Sequence, residues 1–144
     1  MIYNFISMNE AIYQDLKKEL SSRKDAEVCG LLAGLFVDDK EYIEVKSFKM
    51  IPNIAKDPLN LFDMDPKELL KFHNETIGNK LHIVGCVHSH PLNLGNPSRI
   101  DRSQIRDDYA WLIYGGQDDR IRSWMAHSSN KDFTSLVLEI KKAQ

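Results

Sequence analysis

Apolar residues recur every four positions near the start of the chain and predict an amphipathic helix over residues 8–22. Ile12, Leu16 and Leu20 would share one face of this helix. Further along, apolar stretches that alternate with polar residues or contain glycines, bounded by turn residues, are typical of strands. Such strands are predicted at 28–37, 41–49, 81–88, 109–114, 120–126 and 133–140.

Two later segments carry the signals that begin a helix. Asp65 precedes Pro66 and can cap a helix that should stop at Gly78. Ser98 stands in the same position before a short helix near residues 99–108. The resulting order is helix, two strands, helix, strand, short helix and three strands. This order predicts the α/β (α+β) class, with a mixed β-sheet flanked by a helix on each side.

Composition and charge narrow the class of protein. The chain has 42% hydrophobic and 28% charged residues, which is ordinary for a globular protein, and its 144 residues suit a single domain over 1–144. The formal net charge of -2 offers no basic surface for nucleic acid. Three arginines at helical spacing are interleaved with aspartates, so they predict a solvated helix face, with a contact for an acidic partner as the alternative. These are Arg99, Arg102 and Arg106.

Membrane partners and disulfides are not expected. The longest apolar runs fall well short of the roughly 18 residues that a membrane span needs. The two cysteines, Cys29 and Cys86, lie inside apolar runs, whereas small secreted domains use more cysteines to build a disulfide framework. Buried thiols in a reducing compartment are the better interpretation, and the expected location is therefore cytoplasmic.

The strongest candidate for chemistry is a pair of histidines at the end of a predicted strand. Residues i and i+2 of a strand point to the same side, about 6.6 Å apart, so His88 and His90 can converge on one metal ion. A short helix that begins after Ser98 can turn Asp101 back toward this strand. Two histidines and one carboxylate are a donor set typical of catalytic zinc, which keeps a further position open for water.

Each part of this pattern also has a structural interpretation. A single His-x-His pair is weak evidence, and Ser98-x-x-Asp101 alone is a helix capping box. Cys86 shares a strand face with the two histidines by parity, so a Cys-His-His site is an alternative. The remaining histidines lack a spaced partner and are expected to be structural or exposed, and both tryptophans are expected in the core or on the sheet. These residues are His73, His82, His127, Trp111 and Trp124.

Taken together, the motifs resemble the signature of the JAMM family, also called MPN+ or JAB. The sequence His88-Ser89-His90-Pro91 is followed by Ser98-x-x-Asp101, with seven residues between His90 and Ser98. Upstream, the segment 27–32 (Glu-Val-Cys-Gly-Leu-Leu) is similar to the family's glutamate segment. The resemblance extends over residues 7–126, which is most of the chain.

The resemblance implies a JAMM/MPN architecture, of the cytidine-deaminase-like kind, and the activity of a zinc metallopeptidase. It implies that His88, His90 and Asp101 bind one Zn²⁺ per chain, that Glu27 is the general base, and that Ser98 stabilises the oxyanion. Without the resemblance, Glu27 would be the solvated start of a strand. Since none of the five residues is replaced, an enzyme is expected. The alternatives are a non-catalytic MPN-type protein-interaction module and a structural zinc domain.

The resemblance also implies a class of substrate. Asn53 and the stretch 57–66 are similar to the small stand-alone prokaryotic branch of the family. That branch implies hydrolysis after the C-terminal Gly-Gly of a ubiquitin-like or sulfur-carrier protein, whose tail would be the partner. The loops 53–64 and 91–97 are expected to flank the groove, and their shortness argues against a deubiquitinase. The sequence leaves the physiological substrate open, and it leaves a homodimer open as well.

Overall fold

A computed structural model describes residues 3–142, which form an eight-stranded mixed sheet with helices packed on both faces. The predicted fold class, a mixed α/β (α+β) sheet flanked by helices, is confirmed. The elements in chain order are β1 (Phe5–Asn9), α1 (Glu10–Leu20), β2 (Cys29–Val37), β3 (Tyr42–Ile51), α2 (Pro66–Gly78), β4 (His82–His90), α3 (Arg99–Ser103), β5 (Ala110–Gly115), β6 (Arg120–His127), β7 (Asp132–Ser135) and β8 (Val137–Lys141).

Strand β4 lies in the middle of the sheet, whose order is β7-β6-β5-β4-β2-β3-β1-β8. It pairs in parallel with β5 and antiparallel with β2. Strand β1 is parallel to both β3 and β8, and the remaining pairs are antiparallel. Because β4 is central, both of its faces are covered, and any side chain near its end is held on a rigid support.

The two outermost strands of the sheet are consecutive in the chain. Strands β7 and β8 are separated only by Leu136, which is buried and whose N–H donates to the carbonyl of Ser123. Strand β7 completes one edge of the sheet on β6, while β8 completes the other edge on β1 and also contacts β6. The sheet therefore curls until one segment joins its two edges. The prediction of a single strand over 133–140 was wrong, because the chain turns from one edge to the other at Leu136.

Helix α2 begins where the sequence indicated, whereas α1 begins at Glu10 rather than near residue 8, and the two helices cover opposite faces of the sheet. The side chain of Asn9 accepts the N–H of Ile12 at 2.8 Å and caps α1, and Asp65 caps α2 through the N–H of Lys67 at 3.1 Å. Leu16 of α1 packs in one hydrophobic cluster and Phe72 of α2 packs in the other. Among residues 3–142, no helix is long and apolar enough to cross a membrane.

Two further boundaries differ from the sequence-based expectation. The opening strand β1 was not predicted, because five residues are too few to show a period and their conformation is set by pairing with β3 and β8. Helix α3 ends at Ser103 rather than near residue 108. It stops there because Ile105 is buried in the core and the chain then turns into β5.

A register shift in the middle of β4 decides which of its side chains face α2. Gly85 pairs with Leu32 while Ile83 pairs with Ala33, so Val84 is an extra residue opposite β2. As a result Val84 packs on the α1 side although Cys86, two residues later, packs on the α2 side. The parity that was expected to place Cys86 and His88 on one face holds only beyond this bulge.

We predict that Gly85→Ala will destabilise the fold. A Cβ at Gly85 would lie 2.4 Å from the carbonyl oxygen of Ala110, so it would force β4 and β5 apart just before the histidines. Overpacking of this kind costs about 1–3 kcal/mol in the free energy of unfolding. Gly78→Ala is the matched control, since nothing lies within 4 Å of its Cβ position at the end of α2, and alanine there should add about 0.5–1 kcal/mol. Urea unfolding of both variants measures the difference, and equal stabilities would contradict the prediction.

Candidate metal centre

The end of β4 brings two imidazoles together beside α3. His88 is fully buried, the side chain of His90 is 10% exposed, and their Nε2 atoms lie 3.2 Å apart. Ser89, between them, points to the other side, where its Oγ accepts the N–H of Val28 at 3.0 Å. The sequence therefore alternates as predicted, with both histidines on one side of the strand.

Asp101 reaches the same point because it belongs to a helix cap. Ser98 Oγ accepts the N–H of Asp101 at 3.0 Å, and Asp101 Oδ2 accepts the N–H of Ser98 at 2.9 Å, which completes a capping box at the start of α3. Asp101 Oδ1 lies 3.2 Å from Nε2 of His88, and Oδ2 lies 3.2 Å from Nε2 of His90. These distances fit the separation of about 3.3 Å between neighbouring ligand atoms of a tetrahedral zinc ion whose bonds are about 2.0–2.1 Å long.

Different contacts fix the two imidazole rings. His90 Nδ1 lies 3.1 Å from the carbonyl oxygen of Leu94. A carbonyl can only accept, so Nδ1 carries the proton and the neutral ring presents a lone pair at Nε2. For His88 Nδ1, the described part of the chain offers no hydrogen-bond partner. The ring of His88 is held instead by Phe62 and Trp111, with centroid separations of 4.5 and 5.5 Å.

The charges of this cluster favour a cation between its members. Burial lowers the pKa of His88, and the nearby Asp101 carboxylate offsets this only in part. Burial also disfavours the charged form of His90, but its hydrogen bond with Asp101 outweighs that effect and raises its pKa. Burial alone would raise the pKa of Asp101, yet the two imidazoles hold it well below its usual range. Two nitrogen lone pairs only 3.2 Å apart repel unless a proton or a metal ion lies between them.

Glu27 stands beside the imidazoles, directly before β2. Its carboxylate and the ring nitrogens of His88 and His90 lie within 4.8 Å of one another, so these three residues could also hold a metal ion. Glu27 is only 6% exposed, and burial raises the pKa of its carboxyl to about 8. The alternative of a solvated strand start is therefore wrong. A carboxyl group with this pKa can accept and return a proton near neutral pH.

An open groove leads to these residues, with a cavity volume of about 510 Å³. The groove is lined by residues of both loops that were predicted to flank it, 53–64 and 91–97. Its apolar and amide-bearing side chains greatly outnumber its charged ones, and Leu92 and Ile100 are 61% and 42% exposed. The lining residues are Glu27, Leu59, Asn60, His90, Pro91, Leu92, Asn93, Leu94, Asn96, Ser98, Ile100 and Gln117.

Ser98 combines a structural position with access to the groove. Its Oγ accepts the N–H of Asp101, which leaves the hydroxyl proton free to be donated elsewhere. Because Ser98 lines the groove, that donation can be directed at a bound molecule. The capping and the oxyanion-stabilising interpretations of this serine are thus compatible.

Cys86 does not join the converging side chains. It is buried in the cluster on the α2 side, and burial raises its pKa well above the usual range of a thiol. The structure therefore disfavours a Cys-His-His site. Both cysteines are buried and free, as expected.

The remaining candidates lie apart from the site. His73 and His82 are exposed, and His127 is half-buried and contacts the hydroxyl of Thr134 at 2.8 Å. Trp111 is buried and Trp124 half-buried, as predicted for core or sheet residues. Arg99, Arg102 and Arg106 are exposed, and Arg102 pairs with Asp132 at 3.0 Å.

Two residues near the site were not given a role by the sequence. Phe62 covers His88 from the loop before α2, and no pattern in an irregular loop predicts such a contact. Asn53 forms side-chain hydrogen bonds with the main chain of Glu27 and of this loop. Its only signal was its place in a motif that resembles a family.

The fold and the site agree with the result of comparing the chain with known families. The model of the family described as prokaryotic homologs of the JAB domain matches residues 8–127. The chain belongs to this family.

Two relatives of similar sequence are named desampylases. A desampylase of Pyrococcus furiosus is 33% identical over 111 residues, which cover 76% of this chain and 74% of the relative. A desampylase of Haloferax volcanii is 29% identical over 105 residues, which cover 72% and 73% of the two chains.

Solved structures support the fold. A protein from Desulfitobacterium hafniense, solved in solution, has a TM-score of 0.80 at 22% identity, with 96% of this chain and 94% of that chain covered. A protein from Salinibacter ruber has a TM-score of 0.69 at 18% identity, with 96% and 92% covered. At these identities the similarity shows the fold alone.

We predict that Asp101→Ala will weaken zinc binding by more than the roughly 10- to 100-fold that is typical when a residue that only hydrogen-bonds a metal ligand is lost. The reason is that the Asp101 carboxylate contacts both imidazoles, with one oxygen 3.2 Å from His88 Nε2 and the other 3.2 Å from His90 Nε2. Cys86→Ala is the control, because it also alters a buried residue of the α2 side but should keep full zinc content. Metal analysis and competition with a chelating dye measure the effect. Stoichiometric, tight zinc binding by Asp101→Ala would contradict the assignment.

Proposed function

We propose that this protein is a zinc-dependent metallopeptidase of the JAMM type. Its reaction would be hydrolysis of the peptide or isopeptide bond after the C-terminal Gly-Gly of a ubiquitin-like or sulfur-carrier protein. The observation that carries the proposal is the convergence of two imidazoles and two buried carboxylates beside an open groove. A site that binds zinc only for structure would be closed by four protein ligands.

His88, His90 and Asp101 would hold one zinc ion per chain. Their two nitrogens and one carboxylate are the kind of donor set that leaves a position open for catalysis, and their mutual separations suit such an ion. Zinc in this place would supply a Lewis acid for the scissile carbonyl group and for water. The hydrogen bond from His90 Nδ1 to Leu94 would keep the ring in the tautomer that can bind.

Glu27 would act as the general base. Its carboxylate would take a proton from the attacking water while the water oxygen bonds to the carbonyl carbon. It would then pass this proton to the leaving nitrogen as the C–N bond breaks, giving a carboxylic acid and an amine, which become carboxylate and ammonium when the acid proton moves to the amine. Burial favours the protonated form of this carboxyl group, which suits a group that must take up a proton and then pass it on.

Ser98 would donate its free hydroxyl proton to the oxygen on which negative charge develops. Losing one such donor typically costs about 2.7–4 kcal/mol of transition-state stabilisation. The capping box would hold Ser98 in place for this donation, since its Oγ is already fixed by the N–H of Asp101.

The groove and the relatives together support the substrate class. Among the described residues, the groove is lined mainly by neutral side chains, so an uncharged, extended tail suits it better than a charged one. The amide groups of Asn60, Asn93 and Asn96 can hydrogen-bond the main chain of such a tail. The two relatives named desampylases act on ubiquitin-like protein conjugates. We extend this partner class to the present protein.

We further propose that the whole chain, 1–144, acts as one catalytic domain in the cytoplasm. Two buried and unpaired cysteines are compatible with a reducing compartment.

Glu27→Gln should lower kcat by about 10²- to 10⁴-fold, the range typical of a lost general acid–base group, while the zinc content stays unchanged. Glutamine keeps the size of the side chain but cannot accept the proton. Steady-state kinetics with metal analysis test this, and Glu75→Gln, on α2, serves as the matched control with wild-type kcat. A near-normal kcat for Glu27→Gln would remove Glu27 from the mechanism. If the zinc-loaded wild type cleaves nothing, the non-catalytic interaction module becomes the better explanation.

The substrate proposal predicts selective cleavage. Carrier proteins of the ubiquitin fold that end in Gly-Gly-X should be cut directly after Gly-Gly, because two residues without side chains would let the main chain lie close to Glu27 and His90 in the groove. The same carriers ending in Ala-Leu-X should be cut far more slowly, and polyubiquitin should be a poor substrate. Mass spectrometry of the products identifies the bond. Equal cleavage of both carriers, or no cleavage of the first by zinc-loaded enzyme, would refute the proposal.

A further inference from the structure

Residues 54–63 form a loop that is closed at its base and reaches Glu27 at its tip. At the base, Asn53 and Met64 form an isolated antiparallel bridge, and the N–H of Ile54 donates to the carbonyl of Asp63 at 2.8 Å. At the tip, the carbonyl of Pro58 accepts the N–H of Glu27 at 2.6 Å. The loop is thus attached to the main chain of the proposed base.

The carboxamide of Asn53 fills the interior of this loop and uses all four of its hydrogen-bonding positions. Its Oδ1 accepts the N–H groups of Ala55 at 3.0 Å and Asp63 at 2.9 Å. Its Nδ2 donates to the carbonyls of Leu61 at 2.9 Å and Glu27 at 3.0 Å. An amide has two donors and two acceptor positions, so no other side chain of this size could make the same set of bonds.

Glu27 needs this support because the regular sheet begins only after it. The pairing of β2 with β4 starts at Cys29 opposite His88. Val28 already bonds to β4, since its carbonyl accepts the N–H of Ser89 and its N–H donates to the Ser89 hydroxyl. Within residues 3–142, the main chain of Glu27 bonds only to Pro58 and Asn53. The distance from the Glu27 carboxylate to the imidazoles therefore depends on the loop.

We propose that Asn53 is a positioning residue, which holds Glu27 at the reaction centre by fastening its carbonyl group to the 54–63 loop. The inference rests on the proposed function, since it gives Asn53 a part in the same reaction. Asn53 is not among the described residues that line the groove, so it acts through Glu27 and not on the substrate. The loop also delivers Leu59 and Asn60 to the groove, so one carboxamide aligns the base with one wall of the binding site.

The isosteric variant Asn53→Asp isolates this role. It keeps both acceptor positions for Ala55 and Asp63, but it replaces the NH₂ group with an oxygen that faces the carbonyls of Leu61 and Glu27. Repulsion should release Glu27 from the loop. A misplacement of about 1 Å can cost about 10²-fold in rate, so we expect kcat to fall by about this factor, KM to change less, and zinc content to stay the same.

A matched control separates positioning from loss of stability. Asp65→Ala removes the cap of α2 at the other side of the same loop base and should lower the melting temperature without changing kcat. Both variants are compared with wild type for zinc content, melting temperature, and kcat and KM on a Gly-Gly-X carrier. An Asn53→Asp enzyme whose kcat matches that of Asp65→Ala would overturn the inference.

Amide hydrogen exchange, followed by NMR, tests the same inference without turnover. In the wild type, the amides of Glu27, Ala55 and Asp63 should open with one common free energy, because Asn53 ties them into one unit. In Asn53→Asp the Glu27 amide should lose protection while the amide of Leu32 keeps it. Independent opening in the wild type, or unchanged protection of Glu27 in the variant, would overturn the inference. The wild-type measurement remains informative even if the variant does not fold.

The failure of this inference can be distinguished from the failure of the proposed function. If the zinc-loaded wild type cleaves nothing, only the proposed function is refuted, because hydrogen exchange still tests whether Asn53 holds Glu27 to the loop.

Discussion

The carboxylate of Asp101 is shared between a helix cap and two buried imidazoles, and the geometry of the site depends on this sharing. A buried carboxylate is costly unless hydrogen bonds and opposite charges compensate for its lost hydration. Here the N–H of Ser98 fixes one oxygen at 2.9 Å, so both oxygens are aimed at the histidines when α3 begins. A helix of five residues is thereby sufficient to orient a metal-binding group, because its first turn performs both tasks.

The three segments that carry the proposed functional residues meet because β4 is the centre of the sheet. Its end carries His88 and His90, its antiparallel neighbour β2 is preceded by Glu27, and the loop after it leads to Asp101. Phe62 and Trp111 cover His88 and keep water from one side of the cluster. Electrostatic interactions are stronger where water is excluded, so the same aromatic contacts that stabilise the core strengthen the attraction between the imidazoles and the carboxylate.

The sequence predicted those elements that show a periodic pattern of apolar residues, a capping residue or a fixed spacing between functional side chains. Helix α1 follows a four-residue period, and the capping residues Asp65 and Ser98 mark where α2 and α3 begin. The spacing from His88 to Asp101 predicted that three side chains converge. The sequence could not predict β1 or the turn at Leu136, since both depend on pairing between distant strands. It also could not predict why Asn53 matters, because four hydrogen bonds from one amide to an irregular loop leave no period to detect.

The segment that joins the two edges of the sheet has a consequence for how the chain folds. Strand β1 acquires its partner β8 only when residues from near the two ends of the described chain meet, with Phe5 opposite Val137. Contacts of such large sequence separation raise the contact order, and proteins rich in them fold slowly, because the entropy of closing a long loop is lost before the contact forms. During synthesis on the ribosome, β2, β3 and β4 can pair early, but the curled sheet closes only after its last strand has emerged.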